Sequence, residues 1–165
     1  FDDDYLKLLT HDFIATLTVV TKRTVLDKIG IFDTELFGTE DWDLWIRIAR
    51  EYKIYCIPEV LGLYRVHSTG ISNNTGRQLR EEWKVLDKHL PACNDKRVKT
   101  ISKWIWQKKC VLYALDNRHY PKFVVGLIRL IVISPRVTFD WGSKIIWDLG
   151  KLKQVITRDK QGFKV

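Results

Sequence analysis

Glu40 and Asp41 stand side by side in GTEDWDLWIRIAREY, residues 38–52. They fall where an amphipathic helix begins, and Asp43 follows between Trp42 and Trp45. The free N–H groups and dipole of a helix start stabilise a carboxylate in its charged form. A carboxylate held in that way, within hydrogen-bond reach of a hydroxyl, is suited to general-base chemistry. Acids are also common in first turns for electrostatic reasons alone. Local spacing therefore leaves two readings open, an ordinary helix start and a catalytic base.

The elements around the pair can be read from periodicity. Trp45, Ile48, Ala49 and Tyr52 recur at i, i+3, i+4 and i+7, a helical apolar stripe, with Trp42 one turn earlier and Arg47 and Arg50 between these positions. Upstream, FIATLTVVT (13–21) is rich in β-branched residues and predicts a buried strand. KRTVLDKIG (22–30) predicts a short helix with Val25, Leu26 and Ile29 inward and Gly30 as its cap. Downstream, residues 53–67 alternate around Pro58-Glu59 and predict two short strands, and STGISNNTG (68–76) predicts a loop. Beyond it, residues 77–90, 95–117 and 120–135 predict three helices, the last with Pro121 in its first turn and Pro135 at its end. A boundary near residue 75 separates an α/β part, residues 1–75, from an all-helical tail, residues 76–165.

Composition narrows the classes. With 45% hydrophobic and 29% charged residues, the 165-residue chain is a globular protein with a real core. Residues 1–75 carry 8 Lys+Arg and 12 Asp+Glu, whereas residues 76–165 carry 20 and 8. The basic half suggests an anionic partner, phosphate or a membrane surface, or else lysine-rich solvated helix faces. Nucleic acid is disfavoured, because the basic residues alternate with apolar ones and no nucleic-acid-binding signature appears. Cys56, Cys93 and Cys110 have no metal-ligand spacing and read as reduced, mostly buried thiols, while His89 and Cys93, at i and i+4, are too few for zinc. Asn73-Asn74-Thr75 fits a glycosylation sequon, relevant only to a secreted chain. The run Phe123–Ile133 contains Arg129 and is too short to span a bilayer; it reads as a core helix or as one lying at a membrane interface. The first residue is Phe1 and the chain has no methionine, so it reads as part of a longer protein.

Residues 17–72, LTVVTKRTVLDKIGIFDTELFGTEDWDLWIRIAREYKIYCIPEVLGLYRVHSTGIS, resemble the acceptor half of the family 2 glycosyltransferases, which have the GT-A fold. The likeness covers roughly residues 13–72 and is densest from Gly30 to Arg47 and over YRVHSTGIS. It implies an α/β architecture: a partial GT-A (nucleotide-diphospho-sugar transferase) fold followed by an all-helical tail. It implies that Asp41 is the general base that deprotonates an acceptor hydroxyl, that Glu40 positions the acceptor, and that Trp42 lines the acceptor site, with Trp45 and Arg47 structural. His67 matches a histidine that holds a metal or the nucleotide diphosphate in some relatives, and Tyr64 and Arg65 are placed to contact donor phosphates. Tryptophan near the base would offer a sugar ring a stacking face.

The departures from the family pattern matter as well. The family's donor half, with its Asp-x-Asp metal motif after a strand, is not seen. Asp2-x-Asp4 reads instead as an acidic linker, and the Gln-x-x-Arg-Trp motif of processive members is missing from RQLREEW (77–83). The resemblance thus implies a non-processive, inverting transfer of sugar from a nucleotide-sugar donor to a glycan or lipid-linked acceptor. It also implies a divalent cation, Mg or Mn, whose main ligands lie outside this chain, so the chain alone is expected to be inactive. A cytoplasmic location is expected, at or beside the inner face of a membrane, with residues 119–136 against anionic lipid. A non-catalytic glycan- or partner-binding module of the same fold is the rival expectation.

Overall fold

The stripe through residues 42–52 produces the central element of the fold. In the computed structural model, whose described residues are 2–64 and 74–139, helix α3 runs over Glu40–Glu51. It is preceded by α1 (Asp2–Leu8) and α2 (Arg23–Ile29) and followed by α4 (Thr75–His89), α5 (Lys96–Asp116) and α6 (Tyr120–Ile133). Single 3-10 turns occur at Thr16–Thr18 and Leu90–Ala92.

The ends of these helices follow local rules. Gly30 closes α2 with a φ of 90°, and its N–H donates to the Leu26 carbonyl at 2.8 Å. The Asn74 side chain accepts from the Arg77 N–H at the start of α4, and the Asp95 side chain accepts from Arg97 and Val98 at the start of α5. Pro121 sits in the first turn of α6, where its missing N–H costs no helical bond. The segment around Asp2-x-Asp4, expected as a linker, is instead helix α1. Leu8 and Leu9 at its end are fully buried, and Tyr5 and Leu6 pack on the same core.

Among the described residues, two hydrophobic cores form. The larger joins Leu8 and Leu9 to Trp42, Trp45 and Ile46 of α3 and to Val85 and Leu86 of α4. This core spans the line at residues 75/76, because α4 packs on α3. The smaller core lies in the hairpin of α5 and α6, around Trp104, Val111 and Leu130. Trp83 of α4 and Trp106 of α5, with ring centroids 4.5 Å apart, both pack on the larger core, and the Trp106 indole N–H donates to the Leu79 carbonyl at 2.9 Å.

At Gly126, α6 passes close to α5. A Cβ there would lie 2.6 Å from Val111 Cγ2, and Val111 is fully buried. Gly126→Val is therefore expected to destabilise the protein by about 1–3 kcal/mol through overpacking. Urea unfolding should show a lower midpoint with an unchanged slope.

The expected α/β, partial GT-A architecture is not what forms. Among the described residues there is no strand and no sheet. Residues 13–21 contain extended backbone, as at Ala15 (φ −75°, ψ 121°) and Val19 (φ −95°, ψ 133°), but a 3-10 turn interrupts it. The Thr18 hydroxyl closes that turn by donating to the Ala15 carbonyl. Residues 53–64 are non-helical and pass close by, since a Cβ at Gly62 would sit 2.6 Å from Leu17 Cδ1. No ladder joins the two segments. A strand exists only through hydrogen bonds to a neighbour, and β-branched composition cannot supply them. The burial expected of residues 13–21 is missing too: Val20 is 98% exposed.

Candidate functional site

The site is built on the first turn of α3. Asp41 is the second residue of that helix and is half-buried. One carboxylate oxygen accepts the Thr16 hydroxyl at 2.5 Å, and the other accepts the backbone N–H of Trp42 at 2.8 Å. The 3-10 turn at Thr16–Thr18 thus delivers a donor to the helix start across 25 residues of sequence. Glu40 reaches back to the Thr39 N–H at 2.9 Å and satisfies a donor at the helix amino end. Neither carboxylate swings freely, and an outer edge of Asp41 stays in contact with solvent.

Trp42, expected beside an acceptor, is 3% exposed, with its ring in the larger core. Its indole N–H donates to the Leu8 carbonyl at 2.7 Å, which pins α3 to α1. Tyr64 is exposed at the end of the first described stretch. Arg65 and His67 lie outside the described residues, as does Asn73 of the sequon. Among the described residues no group of His, Cys, Asp and Glu could hold a metal ion, so these residues do not by themselves fit the expected divalent cation. The thiols offer no nucleophile of note. Cys93 is buried, Cys56 is exposed rather than buried as expected, and burial, with the Glu82 charge, pushes the Cys110 thiol up to about 11.

Several residues at the site carry no sequence signal that singles them out. Thr16 sat within an expected strand. Asp12 accepts the Ile14 N–H at 3.1 Å. Desolvation among the surrounding protein atoms raises its pKa to about 6, and the Asp41 and Glu82 charges add to the rise. The Ile14 hydrogen bond and Lys109 oppose it. Because the folded value lies above the ordinary 3.8, the folded chain holds this proton more tightly than the unfolded one. Stability is lost as pH rises from about 4 through about 6. Asp12 remains exposed, which weakens the effect. Asp12→Asn is expected to melt about 2 °C above the parent chain at pH 7.5 and level with it at pH 4, read by thermal scans in both buffers.

The strongest electrostatic feature among the described residues lies two residues further along α3, in the core. Asp43 is fully buried and receives Arg47 Nε at 2.8 Å, Lys88 Nζ at 2.8 Å and His89 Nε2 at 2.7 Å. Burial alone would raise its pKa. The hydrogen bonds from His89 and Lys88, together with Arg47, outweigh burial and hold the carboxyl well below its ordinary range. An ionised carboxylate only accepts, so His89 Nε2 carries the proton of this bond. Arg47 also donates to the Ile29 and Ile31 carbonyls, at 2.9 and 2.7 Å, capturing the carboxyl end of α2. Lys88 extends the network to Asp33 at 2.7 Å. The cluster therefore fixes α2, α3, α4 and the loop before α3 relative to one another, and with them the direction of Asp41.

Part of the chain is similar to proteins named as glycosyltransferases. The likeness is 37% identity over 73 residues, 44% of this chain, to uncharacterized glycosyltransferases of Rickettsia prowazekii and Rickettsia typhi. It is 34% over 84 residues, 50% of this chain, to the Escherichia coli UDP-Glc:alpha-D-GlcNAc-diphosphoundecaprenol beta-1,3-glucosyltransferase WfgD. The matched stretches span 23% of each Rickettsia protein and 32% of the Escherichia coli one. No family model matches the chain, and no solved structure does.

Proposed function

We propose that this chain is the acceptor-binding portion of an inverting, family 2-type glycosyltransferase, with Asp41 as its general base. The observation that carries the reading is the held carboxylate of Asp41, fixed by Thr16 and by the first turn of α3 and still reached by solvent. The partial likeness to named glycosyltransferases supports it. In this reading Asp41 takes the proton of an acceptor hydroxyl as that oxygen attacks the anomeric carbon of a nucleotide-sugar. The bond from that carbon to the diphosphate breaks, and the diphosphate leaves with the bonding electrons. A single displacement inverts the centre. Glu40 steadies the helix start beside the incoming hydroxyl, and Trp42 holds α3 from beneath. Tyr64, Arg65 and His67 belong to the same proposal as contacts on the donor side. The substrate of the Escherichia coli relative makes a lipid-linked sugar diphosphate the acceptor class to try first.

A second reading, a glycan-binding module without catalysis, draws on one observation: both Asp41 oxygens already have donors within the chain. One experiment separates the two. The complete product of the reading frame that contains this chain is assayed for sugar transfer from nucleotide-sugars to undecaprenyl-diphosphate-linked GlcNAc, with and without Asp41→Asn. Transfer abolished by that substitution supports the base. Transfer that survives it removes Asp41 from the chemistry and favours the module.

A further inference from the structure

Helix α6 has two apolar sides, and among the described residues only one of them has something to pack on. Gly126 and Leu130 are buried against α5, with Phe123, Leu127 and Ile133 partly covered beside them. The opposite side carries Val124, Ile128 and Ile131 along one stripe, with Val125 and Val132, seven residues apart, next to it. These five are 49–77% exposed. A surface helix ordinarily turns charged and polar residues outward, and a contiguous aliphatic face of this extent marks an interaction site.

The border of the face indicates what covers it. Lys122 and Arg129, also seven apart, run along the edge beside Val125 and Val132, and both are exposed. Between Asp116 and Asp140 the sequence has Arg118, Lys122, Arg129 and Arg136 and no acid. A second copy of the chain meeting this face would set cation against cation at the rim. The face also lacks the exposed tryptophan and central arginine that anchor protein interfaces. Anionic lipid offers both halves of the match, acyl chains for the aliphatic stripe and headgroups for the basic edge. At 14 residues α6 is too short to cross a bilayer, and no helix among the described residues is long and apolar enough to do so.

We propose that the outer face of α6 is a membrane-docking surface that lies in the plane of an anionic bilayer. The inference does not depend on the glycosyl-transfer reading, because vesicle binding is measured with no sugar present. The 165-residue chain is floated with phosphatidylcholine vesicles containing or lacking phosphatidylglycerol. Binding is expected with phosphatidylglycerol and should weaken in high salt. It should fall about ten-fold in the double variant Ile128→Ser, Val132→Ser. Lys122→Gln with Arg129→Gln should remove the preference for anionic lipid. All of these side chains are exposed, so helical circular dichroism is expected to stay at the parent level. Failure of the parent chain to float with phosphatidylglycerol overturns the proposal, and so does binding unchanged by the Ile128 and Val132 substitutions. A dimer in solution that the same substitutions disperse, with no vesicle binding, assigns the face to a second copy and overturns it as well.

Discussion

Replacing Asp43 by alanine is expected to cost about 3 kcal/mol and to lower the melting temperature by about 10 °C at pH 7. Removing one partner of a buried ionic cluster costs up to about 5 kcal/mol, because the remaining charge is left without compensation. The lower end of that range applies here, since the three donors differ in exposure. Lys88 is 41% exposed and keeps Asp33, and Arg47 keeps two carbonyls. His89, at 5%, is the group stranded in the core. Acid provides an independent check. The Asp43 carboxyl titrates below the ordinary 3.8 in the folded chain, so its stabilisation is fully present above that value and is lost as pH falls through the lowered one. The gap in melting temperature between parent and Asp43→Ala should be widest near neutral pH and should shrink below pH 4. A gap that stays constant down to pH 2.5 would mean that packing, and not charge, accounts for the loss.

That cluster also shows what the sequence can reveal and what it cannot. Helix α3 is legible because its apolar stripe is a property of neighbouring residues, as are the Gly30 cap and the proline that opens α6. Asp43 is not legible. In the sequence it is one of three acids in a first turn, and its partner His89 lies 46 residues away, where spacing ties it only to Cys93. The expected strands fail among the described residues for a related reason. Residues 13–21 and 53–64 have strand-like composition, but a strand depends on a second segment in register, and composition names no such segment. The run ending α6 was legible as either a core helix or an interfacial one. In the structure one side of that helix is core, with Leu130 inward, while Val132 on the other side is exposed.

For the site itself, the sequence could place Asp41 at a helix start but not the hydroxyl that holds it. Thr16 reaches Asp41 only because a 3-10 turn replaces the expected strand. This dependence gives the second large effect. In the complete protein, Asp41→Asn is expected to reduce kcat roughly 10²–10⁴-fold, the range for loss of a positioned general base, with little change in KM for the donor. Asn keeps the shape and can still accept from Thr16, while losing an acid at the helix amino end costs only about 0.3–1 kcal/mol. The folded protein should therefore survive the change, and circular dichroism can check this before the rates are compared. Thr16→Val tests the positioning directly. It leaves the carboxylate in place but removes the donor that orients it, so kcat should drop about ten-fold, well short of the Asp41 loss. If the two residues act as one unit, adding Thr16→Val to Asp41→Asn should cost little more than Asp41→Asn alone. Full additivity would instead mean that Thr16 supports the fold at that turn and does nothing for the base.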